Sequence, residues 1–290
     1  KIKFGYKFGL EFLNSQKGRR FISGLKNKIT FGDYKLADIP NTCASTLKSI
    51  KDLKINYDFF SEEWVEWVDY VARSYCAEVK DDPNLIGYFF SDCPTWVHNR
   101  PHNEWRGPIF DPKKLETQEG KNELFKMAKQ YYKTIHDAIR KYDPNHLILG
   151  DRYEANALIA MEVVEAALPY VDVLSFQDFK NPKLNLDKWH KKTGKPVLLA
   201  DGSGIIKGDG IYKRSDGNWY KDQIEELFKN PGCIGFHLCG AYQRNKSRAR
   251  GLLDEFENPD TENIRIIQKT NEKLDMLTSK ILYYKKHIFF

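Results

Sequence analysis

Leu85-Ile86-Gly87-Tyr88-Phe89-Phe90-Ser91-Asp92-Cys93-Pro94-Thr95-Trp96 is the stretch on which the fold turns. An apolar and aromatic run bounded by turn residues reads as a strand buried on both faces, as in a parallel sheet. It stops at a carboxylate. Parallel α/β folds place their active-site residues at the C-terminal ends of strands, so Asp92 is the first candidate for chemistry; the plainer alternative is an Asp that caps the next turn. The same construction recurs in Lys195-Pro196-Val197-Leu198-Leu199-Ala200-Asp201, in His146-Leu147-Ile148-Leu149-Gly150-Asp151 and, less cleanly, in Val171-Asp172-Val173-Leu174-Ser175-Phe176-Gln177-Asp178. Four strands that each end in a polar group imply one polar pocket at one face of a sheet or barrel.

Upstream, Ser61 is placed to cap a helix whose first turn carries Glu62 and Glu63, favourable against the helix dipole. Trp64, Val68, Val71 and Tyr75 follow at helical spacing, and Asp81-Asp82-Pro83-Asn84 ends the helix. Downstream, residues 93–117 form a long loop with Trp96, His98, His102, Trp105 and Arg106; loops of this length are functional or disordered, and the aromatic content favours function. Leu124, Ala128, Tyr131, Ile135, Ala138 and Tyr142 form an apolar stripe over a helix at 119–142. The spacing then predicts strand 147–150, helix 156–167, strand 171–176, helix 184–193, strand 197–200, a glycine-rich loop from Gly202 to Gly217, helix 219–229, strand 233–239 and a final helix at 260–278. A sixth strand is expected near Ile55–Phe59.

Alternating strands and helices imply parallel pairing. No GxGxxG turn is present, so a (β/α)8 TIM barrel fits better than a dinucleotide-binding sheet. Its first two strands would have to lie within residues 1–54, which show no clear period, and a barrel irregular or incomplete there is the alternative. One catalytic domain over 1–280, followed by a tail at 281–290, is the expected organisation.

At 290 residues the chain can bury a substantial core. Its 46 basic and 40 acidic residues are interspersed, which speaks for a solvated surface and against a nucleic-acid footprint. Five cysteines without CxxC spacing indicate neither a disulfide framework nor a zinc site, and Pro101 between His98 and His102 disfavours a metal-binding helix there. No stretch is apolar over a bilayer-spanning length. The chain begins with Lys, so the missing leader pattern leaves two locations open: secreted or periplasmic after removal of a signal peptide, or cytoplasmic.

Asp82–Phe89, Tyr142–Tyr153, Tyr170–Gln177, Gly194–Leu199 and Gly251–Glu255, in this order and spacing, resemble clan-A glycoside hydrolases, above all β-agarases and β-galactosidase-like barrel enzymes. The resemblance covers about residues 56–265. It implies a carbohydrate substrate, no cofactor, an acid/base Glu preceded by Asn at the end of the fourth strand, and a nucleophilic Glu at the end of the seventh. Asp92 occupies the acid/base position with Ser91 where Asn would be, and Asp201 occupies the nucleophile position. Each Glu-to-Asp change shortens the side chain by about 1.5 Å, so two would widen the gap by roughly 2–3 Å.

Glycoside hydrolysis needs one protonated and one ionised carboxyl. Asp92, next to Phe89-Phe90 and Trp96, is expected in an apolar setting that suits an acid; Asp201, before Gly202-Ser203-Gly204, is expected to be held ionised by backbone N–H groups. For sugar contacts the candidates are Asp151, Arg152, Gln177, His237 and Tyr242, with Trp96, Trp105 and Trp219 as stacking platforms. Against these stand a structural Asp151–Arg152 ion pair, a core His237 and tryptophans used for packing; Trp64, Trp67 and Trp189 are expected in the core. The competing functions are a catalytically inactive barrel that binds glycans and a barrel isomerase or aldolase acting on phosphosugars, with Cys239-Gly240-Ala241 as a thin phosphate cradle.

Overall fold

The structure is a computed structural model and describes residues 6–9, 30–33, 58–99, 107–207, 213–239, 251–254 and 256–288. Its centre is a five-stranded, all-parallel sheet: β3 (Gly87–Asp92), β4 (Leu147–Glu154), β5 (Leu174–Gln177), β6 (Val197–Gly202) and β9 (Cys233–Leu238), in that spatial order. Two short strands before it, β1 (Tyr6–Gly9) and β2 (Thr30–Asp33), pair in parallel with one another. The glycine-rich segment after β6 holds an antiparallel hairpin, β7 (Ile205–Lys207) and β8 (Lys213–Ser215).

Helix α1 (Glu62–Val79) leads into β3, α2 (Gln118–Tyr142) joins β3 to β4, α3 (Met161–Ala167) joins β4 to β5, and α4 (Pro182–Thr193) joins β5 to β6. Helix α5 (Gly217–Phe228) precedes β9 and α6 (Thr261–Ile288) follows it. The strand order never reverses, so crossovers of one hand put the connecting helices on one side of the sheet. On that side Phe176 stacks on Trp189 of α4 at 5.9 Å between ring centroids, and Leu124, Tyr132, Phe176 and Leu199 are fully enclosed. Truncating one such side chain to Ala costs about 2–5 kcal/mol.

Helix starts follow their local chemistry. Ser61 accepts from the Trp64 N–H, Thr117 from Gly120 and Asp216 from Asn218 and Trp219. Gly194 ends α4 at φ 70°, in the left-handed region where glycine carries no steric cost.

Several expectations change. The run at 85–90 is not buried on both faces: among the described residues β3 is the first strand of the five-stranded sheet, and Phe89 is 48% exposed. No strand covers Asp58–Phe60, where the Asp58 side chain accepts from the Phe60 N–H in a turn before α1; residues 55–57 lie outside the described set. On α1 the buried stripe is Val68, Ala72 and Cys76, so Tyr75 and Trp67 face outward, with Trp67 stacked on Tyr70. Strand β4 runs on to Glu154 and α3 starts late, at Met161. Helix α6 continues through most of the segment read as a tail. Among the described residues no helix is long and apolar enough to cross a membrane.

Candidate active site

In a strand alternate side chains leave opposite faces. On β4, Asp151 and Tyr153 therefore turn toward the helices, where both reach the Tyr132 hydroxyl, and Arg152 and Glu154 turn the other way. Strand register sets their neighbours: Asp92 lies opposite Arg152, Glu154 opposite Gln177, and Gln177 opposite Asp201. The face turned away from the described helices thus gathers polar groups from five strands at one end.

Arg152 is the centre of that group. Its Nη2 lies 2.7 Å and its Nε 3.0 Å from Asp92 Oδ1, and its Nη1 lies 3.6 Å from Asp201 Oδ2. A guanidinium spans about 2.3 Å between its outer nitrogens, so the two carboxylate oxygens are at most roughly 9 Å apart.

The two aspartates differ in surroundings. Asp201 is 6% exposed; burial would raise its pKa, but hydrogen bonds from His237 and Cys239 and the charges of Arg152 and His237 hold it below the ordinary carboxylate value. Side chains on β4 and at β9 thus help to keep it ionised. His237 Nδ1 sits 3.7 Å from Asp201 Oδ1 and donates to the Ala200 carbonyl at 3.1 Å. The Asp201 hydrogen bond raises the His237 pKa, and its side chain is two-thirds exposed, which excludes a core histidine. Asp92, by contrast, has a 65% exposed side chain against a guanidinium. Among the described residues no apolar setting surrounds it: Phe89 is exposed, and Phe90 packs on Tyr131 and Tyr132.

Asp151 points away from this face. It is buried and accepts from Tyr131 Oη at 3.0 Å, Tyr132 Oη at 2.5 Å, Trp96 Nε1 at 3.3 Å and the Ser91 N–H. Burial pushes its carboxyl up to about 6 against the pull of these donors. Neither a sugar contact nor an ion pair with Arg152 describes it. Trp96 belongs to the same cluster: it is 3% exposed, packed on Phe59, Tyr131 and Tyr132, and offers no open stacking face.

Gln177 is buried at the site and donates from Nε2 to Glu154 Oε2 at 2.7 Å. Trp219 is half-buried, and a Cβ on Gly204 would come within 2.3 Å of its Cγ and 2.4 Å of its Cβ, so the base of its side chain packs against the Gly204 backbone. Trp105 and Tyr242 lie outside the described residues, as do His102 and the Gly240-Ala241 part of the phosphate-cradle candidate. Glu154 escaped the sequence reading because the strand was expected to end at Gly150; the alternation through Arg152 and Glu154 was the available signal. Among the described residues no group of three or more His, Cys, Asp or Glu is arranged to hold a metal.

No family model matches the chain. In an alignment 122 positions long that covers 38% of this chain, it is 25% identical to β-agarase B of Vibrio sp. (strain JT0107), covering 13% of that protein. The structure superposes on that of an exo-β-agarase with a TM-score of 0.58 at 21% identity, covering 75% of this chain and 40% of the other. A second agarase structure gives 0.58 at 19% identity, with 74% and 40% covered. The chain therefore resembles agarases in sequence and shares their α/β fold, while spanning less than half the length of each.

Proposed function

We propose that the chain is a β-glycosidase with an irregular (β/α)8 barrel, acting on a galactose-containing, agar-like poly- or oligosaccharide through Asp92 and Asp201. The observation that carries this is the Arg152 guanidinium in contact with both carboxylates, which brings two acids from non-adjacent strands within roughly 9 Å. Retaining glycosidases hold their carboxyls roughly 5–5.5 Å apart and inverting ones roughly 6.5–9.5 Å. The unreversed strand order supports the barrel, because the described connecting helices all lie on one side of the sheet, as they do around a barrel whose inner face is closed by further strands. The sequence and fold likeness to agarases supports the substrate class.

Asp201, held ionised, is the group that attacks the anomeric carbon or activates water. Asp92 is then the remaining carboxyl to protonate the departing oxygen, and to do so it must first leave Arg152 and take up a proton from solvent. Its exposure leaves it free to exchange that partner for substrate. Gln177 and His237 flank Asp201 and supply contacts for sugar hydroxyls.

The same guanidinium favours a second reading, since it fills the space between the carboxylates as a glycan-binding site without turnover would allow. The test is to incubate the protein with agarose, agar-derived oligosaccharides and an aryl β-galactoside, follow new reducing ends, and read the anomer of the first product by NMR. Hydrolysis that Asp201→Asn abolishes is expected. Glycan binding without turnover on any of these substrates would put the binding reading in its place.

A further inference from the structure

The dipeptide Asp151-Arg152 holds the exit of β3 from both faces of β4. On the open face the Arg152 guanidinium binds the Asp92 carboxylate. In the backbone the Arg152 carbonyl accepts from the Cys93 N–H at 2.8 Å. On the buried face the Asp151 carboxylate accepts from the Trp96 indole, four residues after Asp92, at 3.3 Å, and the Ser91 N–H, one residue before Asp92, also acts on it to lower its pKa. Tyr131 and Tyr132 donate to the same carboxylate and fasten it to α2.

The turn so held is strained. Cys93 has φ 47°, in the left-handed region that a side chain with a Cβ rarely adopts. Such a conformation costs on the order of 1–3 kcal/mol and persists only where its surroundings over-determine it. Ser91 and Trp96 present donors without an alternative acceptor role at those atoms; an uncharged, acceptor-free side chain at 151 would leave them unsatisfied and let the turn relax.

We propose that Asp151 is a positioning residue for Asp92: a buried carboxylate that never meets the sugar and acts by fixing the Ser91–Trp96 turn that presents the acid. This rests on the glycosidase reading with Asp92 as proton donor. A misplacement of about 1 Å in a reacting group can cost on the order of 100-fold in rate, so the effect should fall on the step that needs the proton.

The test compares one β-galactoside with a poor leaving group, an agar-derived oligosaccharide, and one with a good leaving group, a dinitrophenyl β-galactoside. Asp151→Ala should lower kcat on the oligosaccharide at least tenfold, with KM within about twofold and the dinitrophenyl substrate nearly spared. Asp151→Asn, whose Oδ1 can accept on the Trp96 side while Nδ2 donates to a tyrosine hydroxyl, should restore most of that rate. Trp96→Phe, which deletes the indole donor and leaves a smaller aromatic ring, should reproduce the split more weakly and covers the case of an Asp151→Ala protein that does not fold. Equal losses on both substrates would overturn the proposal and leave the glycosidase reading standing. A wild-type protein inert on both would sink that reading, and this one with it.

Discussion

Arg152 Nη2 lies 2.7 Å from Asp92 Oδ1, so the open ends of β4 and β3 are joined by a charge-assisted bond beside the second aspartate. The guanidinium serves two carboxylates at once, which a lysine ammonium, lacking the planar fork, could not do with the same geometry.

Replacing Arg152 should therefore change both rate and pH dependence. Arg152→Leu removes the cation that helps hold Asp201 below its ordinary pKa, so the Asp201 pKa should rise. The acidic limb of kcat/KM against pH moves to higher pH, and the maximum falls by about 10–100-fold. Arg152→Lys should retain part of the rate. An unmoved acidic limb in Arg152→Leu would remove Arg152 from the account of Asp201.

The two aspartates should separate by substrate. Asp201→Asn is expected to abolish turnover on every glycoside, because the ionised group is needed whatever the leaving group. Asp92→Asn should cost 100-fold or more on an oligosaccharide and far less on a dinitrophenyl glycoside, whose leaving group departs without a proton. Full turnover by Asp92→Asn on the oligosaccharide would reassign the acid.

At the opposite end of β3 and β4, Asp143 is buried and accepts from Tyr88 Oη at 2.5 Å and His146 Nδ1 at 2.6 Å. Burial would raise its pKa, but those bonds and the Asn145 and His146 N–H groups bring it down to about 2. A carboxyl lowered from about 3.9 in the unfolded chain stabilises the fold above that value, by about 2–3 kcal/mol, and the contribution fades as pH falls toward 2. The Asp143 hydrogen bond raises the His146 pKa, so its contribution is present below about 6.5 and lost as pH rises through its folded value. Asp143→Asn should be destabilised most between about pH 4 and 6.5, where both groups are charged, and least near pH 2. Urea unfolding midpoints across pH check this.

Asp151 has the reverse sign. Its folded pKa, raised to about 6 by burial, lies above the unfolded value, so stability present below about pH 4 is lost as pH rises through 6, on the order of 3 kcal/mol in all. Asp151→Asn should escape that loss. Its midpoint relative to wild type should climb as pH goes from 4 to 8; a constant difference would show that residue 151 does not titrate in this range.

Local chemistry made the helices legible. Ser61 satisfies a backbone donor three residues on, a cap written in adjacent letters, and the apolar spacing of Leu124, Ala128, Tyr131 and Ala138 marks the buried face of α2. The start of α3 was less legible because Asn156 spends its amide on Asp178, across the sheet, so the chain stays irregular to Ala160. The Trp67 and Tyr75 side chains kept helical spacing with the core residues but missed the buried stripe, which is centred on Val68, Ala72 and Cys76.

The sequence by itself determined the alternation of strands and helices, the parallel pairing it requires, and the placement of Asp92 and Asp201 at strand ends, because hydrophobic period and turn chemistry act over a few residues. Only the tertiary structure decided which face each strand-end side chain takes and who its neighbours are. Asp151 and Arg152, adjacent in sequence, go to opposite sides of β4, one into a cage of tyrosines and the other between two carboxylates. The physical reason is the pleat: alternate residues face opposite ways, while strand register, set by contacts 23 residues apart in the chain, as Arg152 with Ser175, or 60, as Asp92 with Arg152, chooses which of them meet.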